Sequence, residues 1–251
     1  MKNRILALFA SLVIGGSLFL VSSGAVAAVT PSGPSGKGGC ATEAAAVKAG
    51  ASVSTLRAMG DCEINRRFAT LTQLGSKVSG SKLLTSSDAA ALTAEIASTT
   101  SGLTSLKATI DAETSIPALR AEIARIATDY RVYLLVGPQV NLVSAADGVV
   151  ASQTTFAKVN TNLTARIAAA KAAGKDVTAA QADLDKMNAA VTSAVGLATP
   201  LPAALLPLTP AQYNGGTAGP VLANARTALG QARDQLKAAR ADAKACRDAL
   251  K

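Results

Sequence analysis

Between Leu222 and Leu250 the apolar and small residues fall at 222, 225, 229, 232, 236, 239, 243, 246 and 250, alternating steps of three and four. Such spacing puts one side of a helix against neighbouring helices and keeps their axes nearly aligned. A strand would need alternation every second residue, and none is sustained anywhere in the chain. The segment therefore reads as one long helix opening at Gly219-Pro220, with large and small side chains alternating along a buried seam.

The same spacing recurs upstream. Leu92, Ile96, Thr99, Leu103, Leu106 and Ile110 step four, three, four, three, four after Ser86-Ser87-Asp88, whose side chains suit a helix start. Ile116, Leu119, Ile123, Ile126, Tyr130 and Tyr133 share a seam that begins at Ser115-Ile116-Pro117 and is expected to end at Gly137-Pro138. Gly60, Ile64, Leu71 and Leu74 mark a helix over 53–78. Leu142, Val149, Phe156 and Leu163 mark another, which Gly174 would close in the left-handed conformation. Asp176 or Thr178, with Gln181 three residues beyond, opens a further helix carrying Leu184, Met187, Val191 and Val195. Breaks at 82–85, 112–115 and 174–176 suit chain reversals. The expectation is an all-α, elongated antiparallel bundle of about six helices with coiled-coil-like heptad packing; an extended parallel oligomeric coiled coil is the alternative.

Composition removes most catalytic chemistry. The chain of 251 residues has no His, no Trp, three Cys and 3% aromatics. Without imidazole there is no Ser-His-Asp or Cys-His machinery and no His-ligated metal. No CxxC pair or phosphate-binding glycine loop occurs, and the acidic pairs Asp61/Glu63, Asp111/Glu113 and Glu122/Asp129 form no glycosidase or two-metal pattern. The protein is read as no enzyme, with no cofactor and no metal.

The N-terminus reads as an address. Lys2 and Arg4 precede an uncharged run from Ile5 to Val21, which leads to Ala25-Val26-Ala27. That is the pattern of a secretory signal peptide cut after Ala27, with an uncleaved anchor as the alternative. The expected domains are a signal peptide at 1–27, a flexible Pro/Ser/Gly linker at 28–39, and a single helical domain at 40–251 with a Pro-rich loop at 200–219. No transmembrane segment is expected after cleavage. The expected location is secreted or extracytoplasmic, at a bacterial cell envelope.

Three features could carry function. In the terminal helix Arg226, Arg233, Arg240 and Arg247 repeat every seven residues, as do Lys237, Lys244 and Lys251. A basic stripe of this kind suits a polyanion, although charged flanks also accompany ordinary heptads. The stretch 187–225 has no charge at all and holds five of the nine prolines. Proline at that density predicts a long irregular connection, whose Leu201, Leu205, Leu206 and Leu208 either cap the bundle or offer an apolar contact. Among the cysteines, Cys40 and Cys62 flank a reversal near Ala51 symmetrically and are the preferred disulfide; Cys62 with Cys246 is the competing pair.

The pieces Gly60-Asp61, Arg66-Arg67, Leu103-Thr104-Ser105-Leu106-Lys107, Asp129-Tyr130-Arg131-Val132-Tyr133 and Gly137-Pro138-Gln139, with the Lys/Ala/Arg/Asp heptads at the end, resemble a group of exported all-helical bacterial proteins of unknown function. That resemblance implies export and an all-α architecture and transfers no site residue. Within it, Tyr130 and Tyr133 with Arg131 could line a polar pocket, or serve as core residues with hydroxyls at the rim.

The expected function is a non-enzymatic exported structural or binding module at the envelope or outside the cell. It would touch anionic envelope polymer or another protein through Arg226, Arg233, Lys237, Arg240, Lys244 and Arg247, without specific nucleic-acid binding. The alternative is a soluble carrier or chaperone-like protein that takes an apolar ligand or unfolded chains at the uncharged 187–225 region.

Overall fold

The structure is a computed structural model that describes residues 39–251. The segments expected to be a signal peptide at 1–27 and a linker at 28–39 lie, up to residue 38, outside the described residues. Among the described residues nine α-helices follow in order: α1 (Ala41–Ala49), α2 (Val53–Gly80), α3 (Ser86–Ala112), α4 (Ile116–Thr128), α5 (Gly137–Ala172), α6 (Thr178–Ala198), α7 (Leu201–Leu205), α8 (Pro210–Asn214) and α9 (Ala218–Asp248). One π-helical turn, Val132–Val136, joins α4 to α5. Among the described residues there is no strand, and the fold is an all-α helical bundle.

Polar contacts across helix pairs fix the directions. Asn188 donates to Asn160 Oδ1 at 2.9 Å, and both lie fourteen positions from Gly174. Helices α5 and α6 therefore run antiparallel from that turn, where Gly174 takes φ +77° as its place requires. Lys107 of α3 bonds Asp61 of α2; each lies twenty-three positions from Leu84, within the α2–α3 turn. Lys175, just before α6, donates to the Lys251 carbonyl at 3.3 Å, so α6 and α9 are antiparallel too.

Helices α2, α3 and α4 pack on one another, and α5, α6 and α9 do the same, with α6 and α9 in the most extensive contact. The first turns of α5 join the two groups, and Gln139, Val140, Val143 and Ala146 are buried there. The seam of α9 packs as its spacing requires: Leu222, Ala225, Leu229, Ala232, Leu236, Ala239 and Cys246 are buried. Each buried leucine of that seam contributes about 1.5–3 kcal/mol relative to exposure. The stretch 116–172 reaches a mean hydropathy of 1.3 over 18 residues, enough by composition to cross a membrane, but 56% of that span is buried inside the protein. Packing in the core accounts for its apolar character.

Several ends differ from expectation. Gly137-Pro138 does not end a helix. Helix α4 stops at Thr128, Arg131 takes φ 45°, and the π turn feeds into α5, where Pro138 occupies the first turn. A proline without an N–H fits a helix start as well as a stop. The cap of α3 is Thr85, whose hydroxyl accepts from the Asp88 amide at 3.1 Å, one residue before the expected group. At α6 the Asp176 carboxylate accepts from the Thr178 amide at 2.9 Å, while Gln181 turns away to Asp185. The connection at 200–219 is not irregular throughout. It contains α7 and α8, each with a proline in its first turn, and α8 has a full capping box between Thr209 and Gln212.

Candidate functional site

The basic residues of α9 come together on one flank. Helical geometry, at about 100° per residue, puts the arginine line (226, 233, 240, 247) and the lysine line (237, 244, 251) only about 60° apart. Interleaved, Arg233, Lys237, Arg240, Lys244, Arg247 and Lys251 step four, three, four, three, four, matching the buried seam. All seven basic residues of this flank are exposed. Arg226 and Arg247 lie twenty-one residues apart, or about 32 Å along the axis.

Intramolecular pairing accounts for little of this charge. Lys244 and Lys251 share Asp248 at 2.9 and 2.7 Å. These pairs hold the Asp248 carboxyl well below the usual carboxylate range through hydrogen bonds from Lys251 and then Lys244. Arg226, Arg233, Lys237, Arg240 and Arg247 have no ion pair among the described residues. Every acidic residue of the chain, from Glu43 onward, lies within those residues. The arginines hold the heptad position that normally pairs across a coiled-coil interface, and here they meet no carboxylate of α5 or α6. Asp234 and Asp248 fall near the crest of the exposed face, opposite the seam. Residues 137–251 hold 12 Lys+Arg against 7 Asp+Glu, whereas 39–136 hold 10 against 9, so the positive surplus sits in the half that includes α9.

The leucines of the proline-rich connection are placed otherwise. Leu201, Leu205 and Leu208 are buried and Leu206 is half-buried. As a surface contact site this group is corrected: its apolar area lies in the core. Gln139, a fully buried side chain, meets the same segment: its amide donates to the carbonyls of Leu205 at 2.9 Å and Leu208 at 3.0 Å, so the loop is bonded to the start of α5. An amide in a leucine-rich setting was the signal available in Gly137-Pro138-Gln139.

Cys40 and Cys62 form a disulfide with Cα atoms 5.9 Å apart. Helix α1 itself has no buried residue, so this bond is its principal tie to α2. Glu43 sits within 4.8 Å of both sulfurs. Because the sulfurs are bonded to each other, they offer no thiolate pair to a metal. Cys246 is free and buried on the α9 seam, and burial pushes its thiol up, away from nucleophilic character.

A second cluster joins α2 to the π turn. Arg67 is buried, its guanidinium bonds Glu63 at 2.6 Å, and both Arg66 and Arg67 lie over the Tyr133 ring at 5.9 and 5.1 Å. The sequence signal was present: 67 continues the 60, 64, 71, 74 seam, so an arginine stands where an apolar residue belongs. Nearby Arg131 stacks on Tyr213 at 5.3 Å and donates to Asn214 at 2.7 Å, tying the π turn to α8. Tyr130 and Tyr133 do not share one pocket with Arg131: Tyr130 packs toward Gly102 of α3 and Tyr133 toward Arg66 and Arg67 of α2. An open groove of about 620 Å³ at the α5–α6 turn is lined by Lys171, Lys175, Asp176, Thr178, Gln181 and Asp185, with charges of both signs.

No protein-family model, curated protein or solved structure matches the chain, so the resemblance to exported helical proteins rests on the residues alone.

Proposed function

We propose that the protein is a non-enzymatic module, exported from a bacterial cell, that binds anionic envelope material through the basic flank of α9. The observation that supports this most is the row Arg226, Arg233, Arg240 and Arg247, exposed and without a carboxylate partner among the described residues. The seam of α9 is committed to the core, and the basic flank carries most of the charge on its exposed side. A disulfide between Cys40 and Cys62 suits an oxidising compartment and agrees with the signal-peptide pattern at 1–27. A carrier role for the 187–225 region finds less support, because its leucines are occupied by the core.

The test is retention of the purified protein on isolated envelope material across a salt series. Binding held by exposed charge is screened within about 8 Å at physiological ionic strength and weaker still at higher salt. Release below about 0.5–1 M salt is expected. Retention unchanged by salt contradicts the proposal.

A further inference from the structure

Resting on that reading, we infer that the ligand of α9 is a single extended polyanion strand with backbone phosphates, of the glycerol- or sugar-phosphate kind, lying along the flank between the arginine and lysine lines. The basic flank is a strip about 60° wide and about 32 Å long from Arg226 to Arg247. A flat anionic surface docking on α9 would meet the crest first, where Asp234 and Asp248 stand. A single strand in the flank avoids Asp234; from Arg233 onward it meets a cation every three or four residues, about 4.5–6 Å of axial rise, with Arg226 seven residues, about 10 Å, before Arg233.

Membrane insertion is disfavoured by the same geometry. The apolar seam of α9 faces α5 and α6, and the residues outside it are Gly, Pro, Ala, Gln, Asn, Thr and Asp beside the basic strip, with the half-buried Val221 packed on the core and no exposed large apolar or aromatic side chain to enter a bilayer. The lack of aromatics on α9 also removes stacking, the usual source of tight single-stranded nucleic-acid binding. What is left is phosphate recognition by guanidinium forks and ammonium groups, which needs charges on the polymer backbone and nothing from its side groups.

The experiment measures binding of inorganic polyphosphate, of single-stranded DNA of equal charge and of phosphatidylglycerol vesicles to the protein purified from its host. The variant that decides is a relocation: Arg233→Gln with Gln231→Arg, and Arg240→Ala with Ala238→Arg. It moves two charges to the other side of the exposed face, leaves net charge unchanged and touches no buried residue. With five strand contacts, affinity for polyphosphate should fall about 100-fold between 50 and 200 mM salt. The relocated variant should bind about tenfold or more weakly, with a shallower salt slope. Equal binding by the relocated variant overturns the inference while leaving attraction by net charge intact. Tighter binding to vesicles than to polyphosphate, or tenfold tighter binding to DNA, also overturns it. If no polyanion binds at all, the proposed function itself fails.

Discussion

Gln139 and Leu205 are sixty-six positions apart, yet the Gln139 amide donates to the Leu205 carbonyl at 2.9 Å inside the core. The same amide reaches the Leu208 carbonyl at 3.0 Å, so one side chain anchors the proline-rich connection to α5. Gln139→Leu would leave the Leu208 carbonyl without a donor, while the Leu205 carbonyl keeps the Leu208 amide at 3.2 Å. A loss of about 1–3 kcal/mol is expected from one unmade buried bond, read by urea denaturation of both proteins. A variant as stable as the parent would mean that the loop is held by its leucines alone.

The disulfide closes a separation of 22 residues and ties a helix that has no fully buried residue of its own. Reduction, or the Cys40→Ser/Cys62→Ser pair, should lower stability by about 2–4 kcal/mol. Limited proteolysis should then cut first within 41–52, while α2 to α9 resist. Early cutting elsewhere would show that the bond supports more than α1.

Asp147 offers a pH test. It is buried on α5, its carboxylate accepts from the Thr85 amide at 2.8 Å, and burial pushes its carboxyl above the usual value. Asp88 nearby pushes the same way, after burial. A folded-state value above the unfolded one means that the stabilising contribution is full below about pH 4 and is lost as pH rises through the raised value. Asp147→Asn keeps an acceptor for Thr85 and removes the titration. Its melting temperature should gain more at pH 7 than at pH 4. A loss at pH 7 larger than at pH 4 would reverse the assignment.

Gly102 on α3 faces Tyr130, and a Cβ at residue 102 would stand 2.5 Å from the ring. Alanine normally favours a helix by about 1 kcal/mol over glycine. Here the overlap should outweigh that gain, and Gly102→Ala should cost about 1–3 kcal/mol. Restored stability in Gly102→Ala/Tyr130→Leu would assign the cost to this pair.

Much of the fold was legible because heptad spacing is a local property. Seam residues of α3 and α9 such as Leu103, Ile110, Leu229 and Ala239 are buried where the three-four pattern put them, and Gly174 turns the chain as expected. What escaped depends on contacts between distant segments. Nothing near Gln139 announces that its partners lie beyond residue 200, and the left-handed Arg131 before a π turn follows no periodic signal. Arg67 was readable as a break in its own seam. The basic flank of α9 needed only the angle between two seven-residue repeats, but its lack of carboxylate partners depended on where α5 and α6 lie.

The central claim is that exposed charge on α9 holds the protein to anionic envelope material. It is tested most directly by fractionating host cells that carry either the native protein or Arg226→Gln/Arg233→Gln/Arg240→Gln/Arg247→Gln, and assaying each fraction before and after a salt wash. The account predicts native protein in the envelope fraction and its release by about 0.5–1 M salt. The folded variant should already be soluble without the wash. Equal retention of both proteins, unaffected by salt, would contradict it.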